Sequence, residues 1–151
     1  MRPRSLFVAL AVAACAQPVT RPVQQGEAEL LARARAMHER VITIDTHDDI
    51  PLNFATPEVD PLDANRQVNL TKMKAGGLDV AFFIVFVGQT PRTPENYERA
   101  KTDAMTKFDA IRRMAETMHP DRIGLARSAA DVERIHDSGK LVAAIGIENA
   151  S

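Results

Sequence analysis

The sequence predicts an α/β protein whose β-strands run parallel. Residues 78–87 (LDVAFFIVFV) and 141–147 (LVAAIGI) are almost continuously apolar, which is typical of strands buried on both faces of a parallel sheet. Segments with the apolar spacing of helices separate these runs and precede the first strand. The resulting order is helix, strand, helix, strand, helix, helix, strand. Alternation of this kind is typical of α/β folds.

The first helix and the first strand of this pattern precede a long loop. Residues 27–40 carry apolar side chains at spacings of four and three, which indicates an amphipathic helix; these are Leu30, Ala34 and Met37, with Val41 just beyond. Residues 41–46 (VITIDT) are rich in β-branched side chains and predict a strand. The acidic, proline-containing stretch up to about residue 69 predicts a long loop, and such a loop in a compact domain is usually functional.

The later helices have recognisable start and stop signals. A short helix over residues 70–75 is expected to end at the glycine pair 76–77. The pair 93–94 (TP) predicts the capped start of a long helix. Residues 128–131 (SAAD) resemble a capping box and predict another helix, which Gly139 ends.

Length and composition restrict the function classes. The chain has 151 residues, of which 45% are apolar, so it can bury the core of one modest domain. The net charge is −1 and the basic residues form no patch, so we expect no nucleic-acid partner. The chain contains no Trp and one Tyr, which disfavours an aromatic platform for bases or sugars.

The first 16 residues predict a cleaved signal peptide. An apolar run over residues 6–14 follows two arginines, and it is too short to span a bilayer. Cys15 closes the sequence VAAC, which resembles a bacterial lipobox and predicts a lipidated cysteine; ordinary cleavage after Ala16 is the alternative. Both interpretations predict export to the bacterial periplasm or cell envelope, and the lipobox adds a lipid anchor in the membrane. Residues 17–26 are then expected to form a tether, and the single cysteine excludes an intrachain disulfide.

Acidic residues crowd around one histidine at the end of the first strand. Asp45, His47, Asp48 and Asp49 lie within five residues of one another. Carboxylates packed this closely repel one another unless they lie in water or hold a cation. The cluster therefore predicts either a solvated loop or a metal site.

The ends of two predicted strands carry metal-ligating residue types. His47 and Asp49 are spaced i, i+2 along a strand, so their side chains point the same way, roughly 6.6 Å apart along its axis. Glu148 ends the last predicted strand. Active sites of parallel sheets lie at the carboxyl ends of the strands, and imidazole with carboxylates suits zinc. His-x-Asp alone is a weak motif; a solvated loop is the alternative.

The last predicted strand lies at the end of the sequence, with no following helix to cover it. A small parallel sheet of this kind leaves exposed edges. We therefore expect the chain to be the first part of a larger α/β barrel. The alternative is a small, complete three-layer domain.

Three stretches together resemble the membrane (renal) dipeptidase family of zinc peptidases, family M19. They are DTHDDIP, VNLTKMKAGGLDVAFFIVFV and LARSAADVERIHDSGKLVAAIGIE, and they occur in the same order as in that family. The resemblance covers residues 27–151. It implies a (β/α)8 TIM-type barrel of which this chain, apparently truncated, is the N-terminal portion, and it allows a homodimer.

The resemblance also implies a reaction and a set of site residues. The reaction would be the hydrolysis of dipeptides, including those with a C-terminal D-residue, by a hydroxide held between two Zn²⁺ ions. His47 and Asp49 would bind one zinc, and Glu148 would be the catalytic carboxylate that bridges both. Asp48 stands where Asn is common and would bind no metal. Asp45 would lie behind the ligands and orient His47 through a hydrogen bond; a solvated acid is the alternative.

Some features depart from the family or leave other interpretations open. Asn149 and Ala150 follow Glu148 where glycines are usual, and the family's remaining ligands come from later strands, so we expect this chain alone to be inactive. The other histidines, at positions 38, 119 and 136, are expected on helix surfaces. Other metal hydrolases of the amidohydrolase type are one alternative, although they more often have His-x-His at the first strand. A non-catalytic exported lipoprotein or binding fragment is the other.

Overall fold

The structure, a computed structural model, describes residues 23–149. The signal peptide predicted over residues 1–16, the lipidated Cys15 and the tether up to residue 22 lie outside the described residues. The first helix begins at Val23, so the last part of the predicted tether is helical.

The chain alternates between helices and parallel strands. In order, the elements are α1 (Val23–His38), β1 (Ile44–Asp49), α2 (Leu70–Gly76), β2 (Val80–Phe86), α3 (Pro94–Arg113), a π-helical turn (Met114–Met118), β3 (Ile123–Leu125), α4 (Ala129–Asp137) and β4 (Leu141–Glu148). The strands form one parallel sheet in the order β1-β2-β4-β3. The prediction of an α/β fold with a parallel sheet is confirmed.

Strand β3 was not predicted from the sequence. It pairs with the first three residues of β4, Leu141 to Ala143, on the side away from β2. Because β3 spans only Ile123–Leu125, it is too short to produce a periodic pattern.

Strand β1 lies further along the chain than the sequence predicted. The expected bounds were residues 41–46, but the strand spans Ile44–Asp49. Val41 is instead exposed in the turn after α1. The acidic residues therefore belong to the strand itself and pair with β2, which β-branched composition does not reveal.

The predicted starts of α2, α3 and α4 are confirmed within about a residue, whereas α1 begins four residues before its predicted start at residue 27. The side chain of Asn69 caps α2 by accepting a hydrogen bond from the amide of Lys72. Gly77 ends that helix with φ at 70°, a left-handed conformation that favours glycine. Thr93 and Ser128 cap α3 and α4 in the same way as Asn69.

Helices cover both faces of the sheet. On one face, side chains of α2 and α3 pack against β2 in the main core, which includes Met73, Ala81, Phe83, Val85 and Ile111. On the other face, Ile135 of α4 packs against Val80 and Val142, near the amino-terminal ends of β2 and β4. Helix α4 packs against the amino-terminal part of this second face and does not reach its carboxyl-terminal part.

The apolar stripe predicted for α1 is exposed. Leu30, Met37 and Val41 are each more than half exposed, so they do not pack against the rest of the described chain as an amphipathic helix would. Of the helices in the part of the chain that the structure covers, none has the length and apolar character needed to cross a membrane.

Candidate metal centre

A β-bulge at the end of β1 determines which way the acidic side chains point. Ile44 pairs with Val80, and Asp49 pairs with Ile84, so β1 contains one residue more than β2 between these two pairs. Side chains of paired residues lie on the same face of a sheet, whereas successive residues alternate. The extra residue therefore places Asp49 on the same face as Ile44. Bulges of this kind occur next to active sites.

The same bulge turns Asp48 to the opposite face. Asp48 pairs with Phe83, whose side chain belongs to the main core. Asp48 is consequently buried, with 8% of its surface exposed. The two neighbouring acids, Asp48 and Asp49, thus have opposite surroundings.

Glu148 reaches the face of Asp49 from the other side of β2. It pairs with Phe86, the last residue of β2, and Phe86 is on the same face as Ile84. The Nε2 atom of His47 lies 3.1 Å from Oε2 of Glu148 and 3.7 Å from Oδ1 of Asp49. The structure therefore brings together the three residues that the sequence proposed as metal ligands.

The geometry and chemistry of this group fit a divalent metal ion. Each of the three residues offers one ligand atom, and these atoms lie within 4.8 Å of one another. Ligand atoms about 2.0–2.2 Å from a tetrahedral zinc are roughly 3.3 Å apart, so small rotations would suffice. All three side chains are about half exposed, which leaves space for a water or a substrate. Among residues 23–149, this is the one group of this kind.

Two residues beside Glu148 shape the end of β4. A Cβ atom on Gly146 would lie 2.5 Å from Cδ1 of Ile84, so glycine allows Ile84 to pack beneath the cluster. Asn149 has φ at 61°, a left-handed conformation that Asn tolerates better than most residues. Its side chain donates a hydrogen bond to the carbonyl of Val87 at 3.0 Å. Asn therefore supports the turn at a position where glycine is usual in the family that the sequence resembles.

Asp45 contacts the main chain of His47. Its Oδ1 atom accepts a hydrogen bond from the backbone amide of His47 at 2.9 Å. The expectation was a hydrogen bond that orients His47, and the bond observed acts on the backbone at the bulge, not on the ring. Asp45 therefore holds the position of His47 along the strand.

Asp48 is held by an arginine that the sequence analysis did not single out. Burial raises the pKa of Asp48 to about 6, although the charge of Arg66 lowers it and the charges of Asp45 and Asp49 raise it further. Arg66 comes from the long loop after β1, and its Nη2 atom donates to Oδ1 of Asp48 at 3.4 Å. A lone arginine in a long loop gives no local signal, because the contact depends on how the loop folds back.

Lys107 is a second cation that the sequence did not reveal. It lies on α3 and is only 7% exposed, and its Nζ atom is 5.7 Å from the centre of the Phe86 ring. Burial lowers its pKa, and the charges of Asp49 and Asp103 partly oppose this. The cation therefore lies near the edge of the sheet where the cluster forms.

The other histidines serve different contacts. Nε2 of His119 lies 2.6 Å from Oδ1 of Asp60, and its side chain is 12% exposed, so the predicted surface role is wrong for this residue. Nε2 of His38 lies 2.8 Å from the carbonyl oxygen of Gly77, and His136 is one-third exposed on α4. In the described chain these side chains do not join the cluster.

The chain is similar to a known family of peptidases and to individual dipeptidases. A family model for the membrane dipeptidases (peptidase family M19) matches residues 31–151. The chain is 30% identical over 130 residues to dipeptidase ataJ from Aspergillus terreus (strain NIH 2624 / FGSC A1156), an alignment that covers 78% of this chain and 31% of that protein. It is 26% identical over 132 residues to dipeptidase verJ from Clonostachys rogersoniana, covering 78% and 34%.

A solved structure shares the fold. The probable dipeptidase PvdM from Pseudomonas aeruginosa superposes with a TM-score of 0.71 at 24% identity, covering 82% of this chain and 32% of that one. The chain belongs to the membrane dipeptidase family, peptidase family M19. It spans about a third of the length of the relatives that it matches.

Proposed function

We propose that this chain carries part of the active site of a zinc-dependent dipeptidase. The observation that carries the proposal is the convergence of His47, Asp49 and Glu148 at the carboxyl ends of two strands in a chain of the membrane dipeptidase family. Relatives that it resembles are dipeptidases by name. The proposed substrate is therefore a dipeptide, and the proposed reaction is hydrolysis of its peptide bond.

The described residues have distinct roles in this proposal. His47 and Asp49 would hold one zinc ion from the end of β1, and Glu148 would contribute a carboxylate ligand from β4. Bound zinc supplies a water of lowered pKa and a polarised peptide carbonyl. The half-exposed side chains leave the cluster accessible to a small peptide. Ile84, which pairs with Asp49, is buried next to the cluster.

Finer features of the function belong to the same proposal. Two zinc ions per complete site, acceptance of a C-terminal D-residue and a homodimer are supported by the family resemblance. Export to the bacterial periplasm or envelope with a lipid anchor is supported by the apolar run over residues 6–14 and by Cys15. We expect the 151-residue chain alone to bind zinc but hydrolyse little, because three ligands are fewer than a two-metal site needs.

The experiment compares two Glu→Gln substitutions with the same chemistry. Zinc content is measured after equilibration and removal of excess metal, and hydrolysis of Gly-L-Ala and Gly-D-Ala is measured in the longest natural form of the protein. We expect Glu148→Gln to lose zinc and activity. Glu133→Gln, on the exposed face of α4, should retain both. A wild-type protein without bound zinc, or equal behaviour of the two variants, would contradict the proposal.

A further inference from the structure

We propose that Arg66 is a positioning residue for the candidate metal centre. In this proposal its guanidinium holds the end of β1 in the conformation that directs His47 and Asp49 towards one ion. The inference deepens the proposed function and rests on it.

Arg66 forms hydrogen bonds with β1 just after the bulge. Its Nη2 atom donates to Oδ1 of Asp48 at 3.4 Å and also to the main-chain carbonyl of Asp49. The guanidinium carbon lies 5.5 Å from the centre of the Phe54 ring, in the geometry of a cation–π contact. The side chains of Arg66 and Asp48 are 19% and 9% exposed. The guanidinium is therefore held in place by contacts with a carboxylate, a carbonyl and an aromatic ring.

The contacts of Arg66 are with the backbone segment that sets the directions of the His47 and Asp49 side chains. Asp48 lies between His47 and Asp49 in sequence and points to the opposite face. A bulge interrupts the regular hydrogen-bond ladder, so the local backbone is less constrained by β2. Fixing the side chain of Asp48 and the carbonyl of Asp49 fixes the orientation of this peptide segment. The directions of both flanking ligand side chains then follow.

A purely structural role for Arg66 is the competing explanation, because the arginine also anchors the long loop. Arg113 provides a matched control for that role. From α3 it donates to the carbonyl oxygens of Ala55 at 2.7 Å and Phe54 at 3.3 Å. It therefore anchors the same loop, through contacts that do not include the end of β1.

The test measures the affinity of the full chain for Zn²⁺ alone, by competition with a chromophoric chelator, in Arg66→Met, Arg66→Lys and Arg113→Met. Partners of metal ligands typically contribute 10–100-fold to affinity, so we expect Arg66→Met to bind Zn²⁺ about 10–100-fold more weakly. Arg66→Lys should be intermediate, since lysine keeps the charge but not the planar fork. Arg113→Met should bind like the wild type. The visible spectrum of bound Co²⁺ should change in Arg66→Met and not in Arg113→Met.

Several outcomes separate the possibilities. Equal losses of affinity in Arg66→Met and Arg113→Met, or full affinity in Arg66→Met, would overturn the positioning role. If circular dichroism shows that Arg66→Met is unfolded, Arg66→Lys decides, and wild-type affinity in that variant would overturn the inference. A wild-type chain that binds no Zn²⁺ would instead overturn the metal centre of the proposed function, and the inference with it.

Discussion

Replacing Asp48 by Asn should stabilise the metal-free protein at neutral pH. The carboxylate is buried, and its pKa is raised from 3.8 to about 6, mainly by burial. A rise of this size corresponds to about 3 kcal/mol lost from the free energy of unfolding once the group is ionised in both states. Asn carries no charge and retains an oxygen that can accept from Arg66.

The expected net gain in stability from Asp48→Asn is smaller than the electrostatic cost of the buried carboxylate. The Oδ2 atom of Asp48 and the Nε atom of Arg66 are buried without a hydrogen-bond partner in the described chain. An amide NH₂ in place of Oδ2 would also lack an acceptor there, at a cost of about 1–2 kcal/mol. We therefore expect Asp48→Asn to gain about 1–2 kcal/mol at pH 8.

The dependence on pH identifies the cause. Between the unfolded pKa near 4 and the folded pKa of about 6, the folded protein keeps a proton on Asp48 that the unfolded chain has lost. The wild type therefore loses stability as pH rises through this window, and Asp48→Asn does not. The advantage of the variant should grow from pH 4 to pH 7 and then level off.

Urea denaturation followed by circular dichroism, at several pH values from 4 to 8, measures this difference. EDTA is included because a bound cation would favour the ionised form of Asp48. A constant stability difference across the range would refute the reasoning, as would a variant that is less stable than the wild type at pH 8.

Two further predictions concern residues that the tertiary structure brings to the site and to the loop. Lys107→Met keeps the apolar stem but removes a buried positive charge near Asp49. Because that charge repels a cation, the variant should bind Zn²⁺ more tightly in a chelator-competition titration. Unchanged affinity at low salt would show that the charge does not act on the site. Burial alone would raise the pKa of Asp60, but hydrogen bonds from the Leu62 amide and from His119 outweigh burial and lower it. Asp60→Ala removes these bonds and should cost about 1–2 kcal/mol at pH 7. This loss of stability should diminish as pH falls through the lowered pKa of Asp60 in the folded protein, because protonated Asp60 no longer stabilises the loop. Urea denaturation at pH 7 and pH 3 measures the loss and its dependence on pH, and an unchanged midpoint at pH 7 would contradict the prediction.

The main elements of the fold could be predicted because their signals are local. The continuous apolar runs of β2 and β4 require burial on both faces wherever they lie in the sheet. The side chains that cap α2, α3 and α4 form hydrogen bonds within the first turn of each helix. Such interactions involve residues only a few positions apart, so the sequence alone contains them.

The candidate ligands could also be predicted, but not their arrangement. His47, Asp49 and Glu148 follow from residue type and from their place at strand ends. The sequence predicted a simple i, i+2 pair at the end of a strand. The structure instead contains a bulge, because register with β2 depends on pairing between residues more than thirty positions apart.

The surroundings of the site depend entirely on long-range packing. The buried position of Asp48, the grip of Arg66 and the approach of Lys107 each require the loop or α3 to fold back on the sheet. The exposure of α1 has the same origin, since an amphipathic pattern shows which face is apolar but not what covers it. Periodicity and residue chemistry therefore determine which elements form and which residues can bind a metal. Register, loop closure and burial, which are properties of contacts distant in sequence, decide how those residues are oriented and charged.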